Sequence, residues 1–146
     1  MSVIDQTILA AHLASTAAMA GLVTFVQVVH YPLMSRVRPE DFVAFEASHT
    51  SRTSLVVAPL MLIEAASSLW VLSRDPRDWA AIAGAVLLAY VWIWTFGVMV
   101  PLHGRLSKGW DARAHTRLVR LNGPRTIAWW LRTVLAAWMI FKGAAT

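Results

Sequence analysis

The sequence predicts an all-α fold, a four-transmembrane-helix bundle built as two helical hairpins. Three observations carry that expectation. The chain of 146 residues is 58% hydrophobic and only 14% charged, against roughly 45–50% and about 25% in an average soluble domain. Four apolar stretches, residues 7–34, 54–72, 79–102 and 124–141, hold only three of its Asp, Glu, Lys and Arg residues. The basic residues between those stretches collect on one side. The composition excludes a disordered chain, which needs low hydrophobicity. The absence of cysteine excludes disulfides, thiolate metal sites and cysteine nucleophiles. The length fits one domain, residues 1–146.

The first stretch carries no Asp, Glu, Lys or Arg. Only Asp5 precedes it, and no basic segment does, so it reads as a retained helix rather than a cleaved signal. The second contains Glu64 alone. Pro39-Glu40-Asp41 upstream makes a good helix start, and Phe42, Phe45 and His49 recur at helical spacing. This helix is expected to begin before the membrane and to bend at Pro59. The third stretch is free of charge. Asp111 then reads as the cap of a helix over 112–121, and Asn122-Gly123-Pro124 as a break before the fourth stretch, which holds Arg125 and Arg132. About 20 apolar residues cross roughly 30 Å of hydrocarbon as a helix. The runs are too long for barrel strands. Trp79, Trp110 and Trp138 fit interfacial belts.

Four spans put both termini on one side, with Arg74, Arg77 and Lys142. Arg36, Arg38, Arg52, Arg105, Lys108, Arg113, Arg117, Arg120 and Arg125 lie on the other. The positive-inside rule makes that second side cytoplasmic and both termini external, for a multi-pass protein of the cell membrane. A net charge of +5 and a pI near 10.8 would point to nucleic acid in a soluble protein. Here they read as orientation signal and contact with anionic lipid, the bilayer being the partner and nucleic acid not. Oligomerisation stays open.

The two halves, about 7–73 and 79–142, resemble each other. Pro32-Leu33-Met34-Ser35-Arg36 and Pro101-Leu102-His103-Gly104-Arg105 match at an offset of 69, and Arg52-Thr53 and Arg125-Thr126 at 73. Each half is an apolar helix, Pro-Leu, an Arg, a short polar helix and Arg-Thr opening the next helix. This is the pattern of a parallel repeat about an axis along the membrane normal. Val100-Pro101-Leu102 with His103, then Asn122-x-x-Arg125-Thr126, resembles a family of small four-helix membrane proteins. That family includes the fungal anthrone oxygenases and many uncharacterised bacterial members. Gly21 and Tyr31-Pro32-Leu33 share the likeness. The resemblance implies the four-helix membrane fold and, in one branch, oxygenation of a polyketide-like aromatic. The family often has Asn where this chain has His103; His30 and Glu46-x-x-His49 fall outside its pattern.

Ionisable residues inside a bilayer are costly and therefore functional candidates. Gln27, His30, His49, Arg52, His103, Asn122 and Arg125 share one level, the cytoplasmic third. Glu64 and Arg132 lie roughly 15 and 12 Å deeper and are expected to meet as a buried charged pair. Helical phase gives stripes of Asn122, Arg125, Trp129 and Arg132 on the last helix and of Trp92, Phe96, Met99 and His103 on the third. The favoured function is binding of a small lipophilic or aromatic molecule in the bundle. Gln27, His49, Arg52, Asn122 and Trp129 would contact it; His30, His103 and Arg125 would be the catalytic set for oxygenase-type chemistry, cofactor-independent or metal-assisted. The residues leave alternatives open. One is a non-enzymatic membrane subunit or small transporter, with Glu64–Arg132 structural or relaying protons. Glu46-x-x-His49 has the spacing of carboxylate-bridged metal bundles, and His30 with His103 can ligate haem. No cofactor is favoured.

Overall fold

The computed structural model describes residues 2–144. They form four helices, α1 (Val3–Met34), α2 (Phe42–Arg74), α3 (Trp79–Leu106) and α4 (Ala112–Ala144), with no strand among the described residues. Each helix packs on its neighbours in sequence, and α4 closes the ring against α1, so the chain runs up, down, up and down around one axis. Three short connections join them. Helices α1, α2 and α3 are long and apolar enough to cross a membrane. Helix α4 is equally long but does not reach that level: its first turns are basic, and Arg125 and Arg132 interrupt its apolar part.

Three helix starts have side-chain caps. Ser2 and Asp5 form a reciprocal box at α1, Asp78 accepts from the Ala80 N–H at 2.9 Å, and Asp111 accepts from Arg113 and Ala114 at 2.9 and 3.0 Å. These orphan donors would otherwise be lost to the fold. The Ala114 N–H and the Arg105 guanidinium outweigh partial desolvation and hold the Asp111 carboxyl below the usual carboxylate range. Helix α2 starts at Phe42, not at Pro39: the Asp41 carboxylate is engaged by Arg38 at 2.7 Å and caps nothing.

The prolines behave in two ways. Before Pro32 and Pro101 the helix widens by one residue, over Val26–His30 and Thr95–Met99, where Tyr31 N–H reaches Val26 O and Val100 N–H reaches Thr95 O. A proline ring presses on the preceding turn and offers no donor; an extra residue there relieves both. Pro59 and Pro124 instead sit inside unbroken helices. Asn122-Gly123-Pro124 therefore does not end a helix. The carbonyls flanking Arg120 O take bonds from other helices: Gln27 Nε2 reaches Val119 O at 3.2 Å and Trp94 Nε1 reaches Leu121 O at 2.8 Å. Neighbouring helices thus hold the turn on either side of the carbonyl, Arg120 O, whose donor the proline removes.

The exterior is apolar and the interior is partly polar. Leu55, Ile93 and Phe141 are 78%, 72% and 73% exposed, whereas Glu46, Glu64, Asn122 and Arg132 are at most 1% exposed. Apolar packing comes in three tiers along the axis: one around Met34, Phe42 and Leu106, one around Met19, Val91 and Trp129, and a small one around Ala80 and Met139. The polar groups sit in these tiers.

Candidate functional site

The upper tier holds a cavity of about 250 Å³ reached by all four helices. Its polar wall includes Tyr31, His49, Thr53, Thr95, His103 and Arg125; Val26, Val57 and Met99 are among its apolar residues. Both widened turns contribute to it, through Val26 on α1 and Thr95 and Met99 on α3. Such turns recur at functional sites because they redirect the side chains that follow.

A three-residue hydrogen-bond chain crosses the tier. Glu46 Oε1 lies 2.6 Å from His103 Nδ1, and the Tyr31 hydroxyl lies 3.0 Å from His103 Nε2. With Glu46 ionised, His103 donates through Nδ1, and its Nε2 accepts from Tyr31. His49 stacks on His30 with ring centroids 4.1 Å apart, and its Nδ1 lies 3.2 Å from Thr53 Oγ1. A second chain supports the other wall. Gln27 Oε1 accepts from Asn122 Nδ2 at 2.9 Å, and Asn122 Oδ1 accepts from Arg125 Nη1 at 3.1 Å. Arg125 is 7% exposed, and its Nε has no partner. Among the described residues it has no carboxylate within ion-pair distance.

Glu64 and Arg132 form an ion pair deeper in the bundle, and Arg132 also donates to Gly84 O. His12 Nδ1 lies 3.1 Å from Ser67 Oγ in the same region. His12 and Ser67 are both buried, so the lower half has its own polar cluster.

Of the residues singled out by sequence, Gln27, His30, His49, His103, Asn122 and Arg125 gather in or behind the cavity wall. Arg52 does not. It is exposed, its long stem carrying the charge outward. Trp129 is fully buried in the middle tier and is not among the cavity residues. Phe96 is 58% exposed and leaves the expected α3 stripe, because the widened turn shifts the helical phase there. Glu46 turns to His103 rather than pairing with His49 as a chelate. Among the described residues no group of three or more His, Asp or Glu is arranged to hold a metal ion. Both ring nitrogens of His103 are engaged, which leaves no lone pair for a haem iron. Sequence reasoning missed Tyr31 as a site residue, and His12 and His115. The last is buried, and its Nε2 lies 2.7 Å from Tyr31 O. Tyr31 stands between His30 and Pro32, and that adjacency was the available signal.

No family model, curated protein or solved structure matches the chain.

Proposed function

We propose that this is a multi-pass protein of the cell membrane that binds a small lipophilic molecule carrying an acidic oxygen, and performs oxygenase-type chemistry on it. The observation that carries this reading is Arg125. A guanidinium buried in a cavity wall without a counter-charge is costly as mere packing, and a phenolic or enolic oxygen of a ligand supplies that charge. The apolar lining suits an aromatic body. The resemblance to the anthrone oxygenases points to the same substrate class.

The Tyr31–His103–Glu46 chain provides a proton acceptor, with Glu46 stabilising the imidazolium that forms. A methylene between aromatic rings loses its proton to this chain, and the negative charge spreads to the ring carbonyl oxygen that Arg125 holds. The carbanion adds dioxygen and takes a proton to give a hydroperoxide. Loss of water leaves a second carbonyl. One methylene and one O₂ give one carbonyl and one water, so no external reductant enters.

Four spans, with residues 35–41 and 107–111 cytoplasmic, complete the reading; the basic bias supports that orientation. The two widened turns lie at the same offset of 69 residues as Pro32 and Pro101, which supports a duplicated hairpin.

The test is oxygen uptake by the purified full-length protein in detergent, with anthrone as probe. Arg125→Gln is expected to weaken anthrone binding, and His103→Gln to lower turnover by about 10²–10⁴-fold, with helix content unchanged. Absence of anthrone binding, together with absence of any co-purifying lipophile in native mass spectrometry, would overturn the proposal. The His12–Ser67 and Glu64–Arg132 cluster favours a second reading, a proton-relaying membrane subunit. Vesicles containing the protein and a pH dye test it: proton flux lost in Glu64→Gln supports it, and absent flux in the unaltered protein removes it.

A further inference from the structure

On the outer face of the bundle, where α3 meets α4, lies an open groove of about 520 Å³. Gly97, Pro101 and Leu121 are among its apolar residues, and Arg105, Arg117 and Arg120 give it charge. The cavity of the candidate site is a separate space, sharing none of these residues.

Four features define what the groove fits. First, it straddles the boundary of the apolar stretch. The charge-free run of α3 ends at residue 102, and the basic residues begin at Arg105. An occupant matching both parts is itself amphipathic. Second, the positive charge is not neutralised internally. Asp111 holds Arg105 at 2.8 Å, but Arg117 and Arg120 have no ion pair among the described residues and are exposed. One carboxylate against three guanidiniums leaves two positive charges, enough for one phosphate diester and its hydrogen bonds. Third, Gly97 is open outward: a Cβ there would meet nothing within 4 Å. No packing contact within the chain demands glycine, which weakens a helix relative to alanine. Fourth, the first half of the chain lacks this chemistry. The matching offsets put Val28 at the place of Gly97, and Ala44 and Ala47 at those of Arg117 and Arg120, while Pro32 and Arg36 are retained. A Pro-Leu hairpin therefore forms without the arginine pair.

We propose that this groove is a specific site for one anionic phospholipid. Arg117 and Arg120 hold the headgroup phosphate beside Arg105, and an acyl chain lies along Gly97 and Pro101. The inference rests on the membrane reading of the bundle and is independent of any activity in the internal cavity.

The test is native mass spectrometry of the full-length protein released from detergent, with phosphatidylglycerol or phosphatidylcholine added. One retained phosphatidylglycerol per chain is expected, with phosphatidylcholine held much more weakly. Arg117→Gln with Arg120→Gln should weaken retention at least about tenfold. Gly97→Leu should weaken it without changing charge, and Arg113→Gln, outside the groove, should leave it intact. Equal retention of the two lipids would overturn the site, as would phosphatidylglycerol binding that survives the double substitution. Equal loss in Arg113→Gln would show a diffuse basic surface instead. Displacement of the lipid by inorganic phosphate alone would show a headgroup-only anion site. A chain that stays soluble without detergent would count against the membrane reading beneath the proposal, not against the groove alone.

Discussion

Two guanidiniums lie inside the bundle, and they differ in what surrounds them. Arg132 has Glu64 and the Gly84 carbonyl; Arg125 has the Asn122 amide and an open cavity. The first is a completed pair, the second an unfinished one. Removing one partner of a buried pair strands the other charge and costs about 3–5 kcal/mol, whereas replacing both by apolar groups of similar volume is often neutral. Arg132→Met should therefore destabilise strongly, and Glu64→Leu with Arg132→Met should recover much of the loss. Arg125→Met should cost less in the empty protein, because no carboxylate is abandoned and only the Asn122 amide oxygen loses its donor. Unfolding of the purified variants in mixed micelles measures all three. A loss for Arg125→Met as large as for Arg132→Met would make Arg125 part of the structural frame and remove the main support for a ligand counter-charge.

At the scale of the helix, the widened turns decide which side chains face inward. Each inserts one residue, so everything after it stands about 100° from where an ideal helix would put it. Deleting Val98 from the second turn is expected to restore a regular helix and leave His103 on Glu46. Inserting an alanine after Val98 is expected to swing His103 away. Anthrone retention in native mass spectrometry reads the difference: near-normal for the deletion, lost for the insertion. Loss in both would mean that the turn itself shapes the site. The same geometry explains what a single sequence conveyed. The apolar stretches and the Asp111 cap were legible because composition and local capping chemistry decide them. Gln27, Asn122 and Arg125 were legible as a group because their depth along each helix follows from counting residues. Phe96 was misplaced because a one-residue insertion breaks the 3.6-residue count, and only a nearby proline hints at it; Tyr31 carries no charge to single it out among the residues of its helix. Asn122-Gly123-Pro124 reads locally as a break; α4 continues through it, with Gln27 and Trp94, distant in sequence, bonding the carbonyls on either side of the one that Pro124 leaves without a donor.

For the whole molecule, the apolar exterior and charged interior constrain the surroundings more tightly than any one site. Leu55, Ile93 and Phe141 are among many large apolar side chains that are exposed on all four helices, and an exterior so apolar needs a partner other than water. Only α4 leaves a choice, since it does not reach the apolarity of the other three helices. Its arginines divide into two sets. Arg113, Arg117 and Arg120 lie on the exposed basic side, while Arg125 and Arg132 are buried inside the bundle, Arg132 in its ion pair and Arg125 against Asn122 and the cavity. Interior charges do not confront lipid, so α4 is expected to cross the bilayer despite them. The chain has no cysteine, so single cysteines report their side of the membrane without background. Ser35→Cys and Ser107→Cys should be shielded from an impermeant maleimide added to intact cells, and Asp75→Cys and Lys142→Cys should react. Reaction at Asp75 but not at Lys142 would mean that α4 stays on the cytoplasmic side. The Glu64–Arg132 pair would then sit at the edge of the hydrocarbon rather than in it, and both the four-span topology and the ring of four helices around the cavity would fall together.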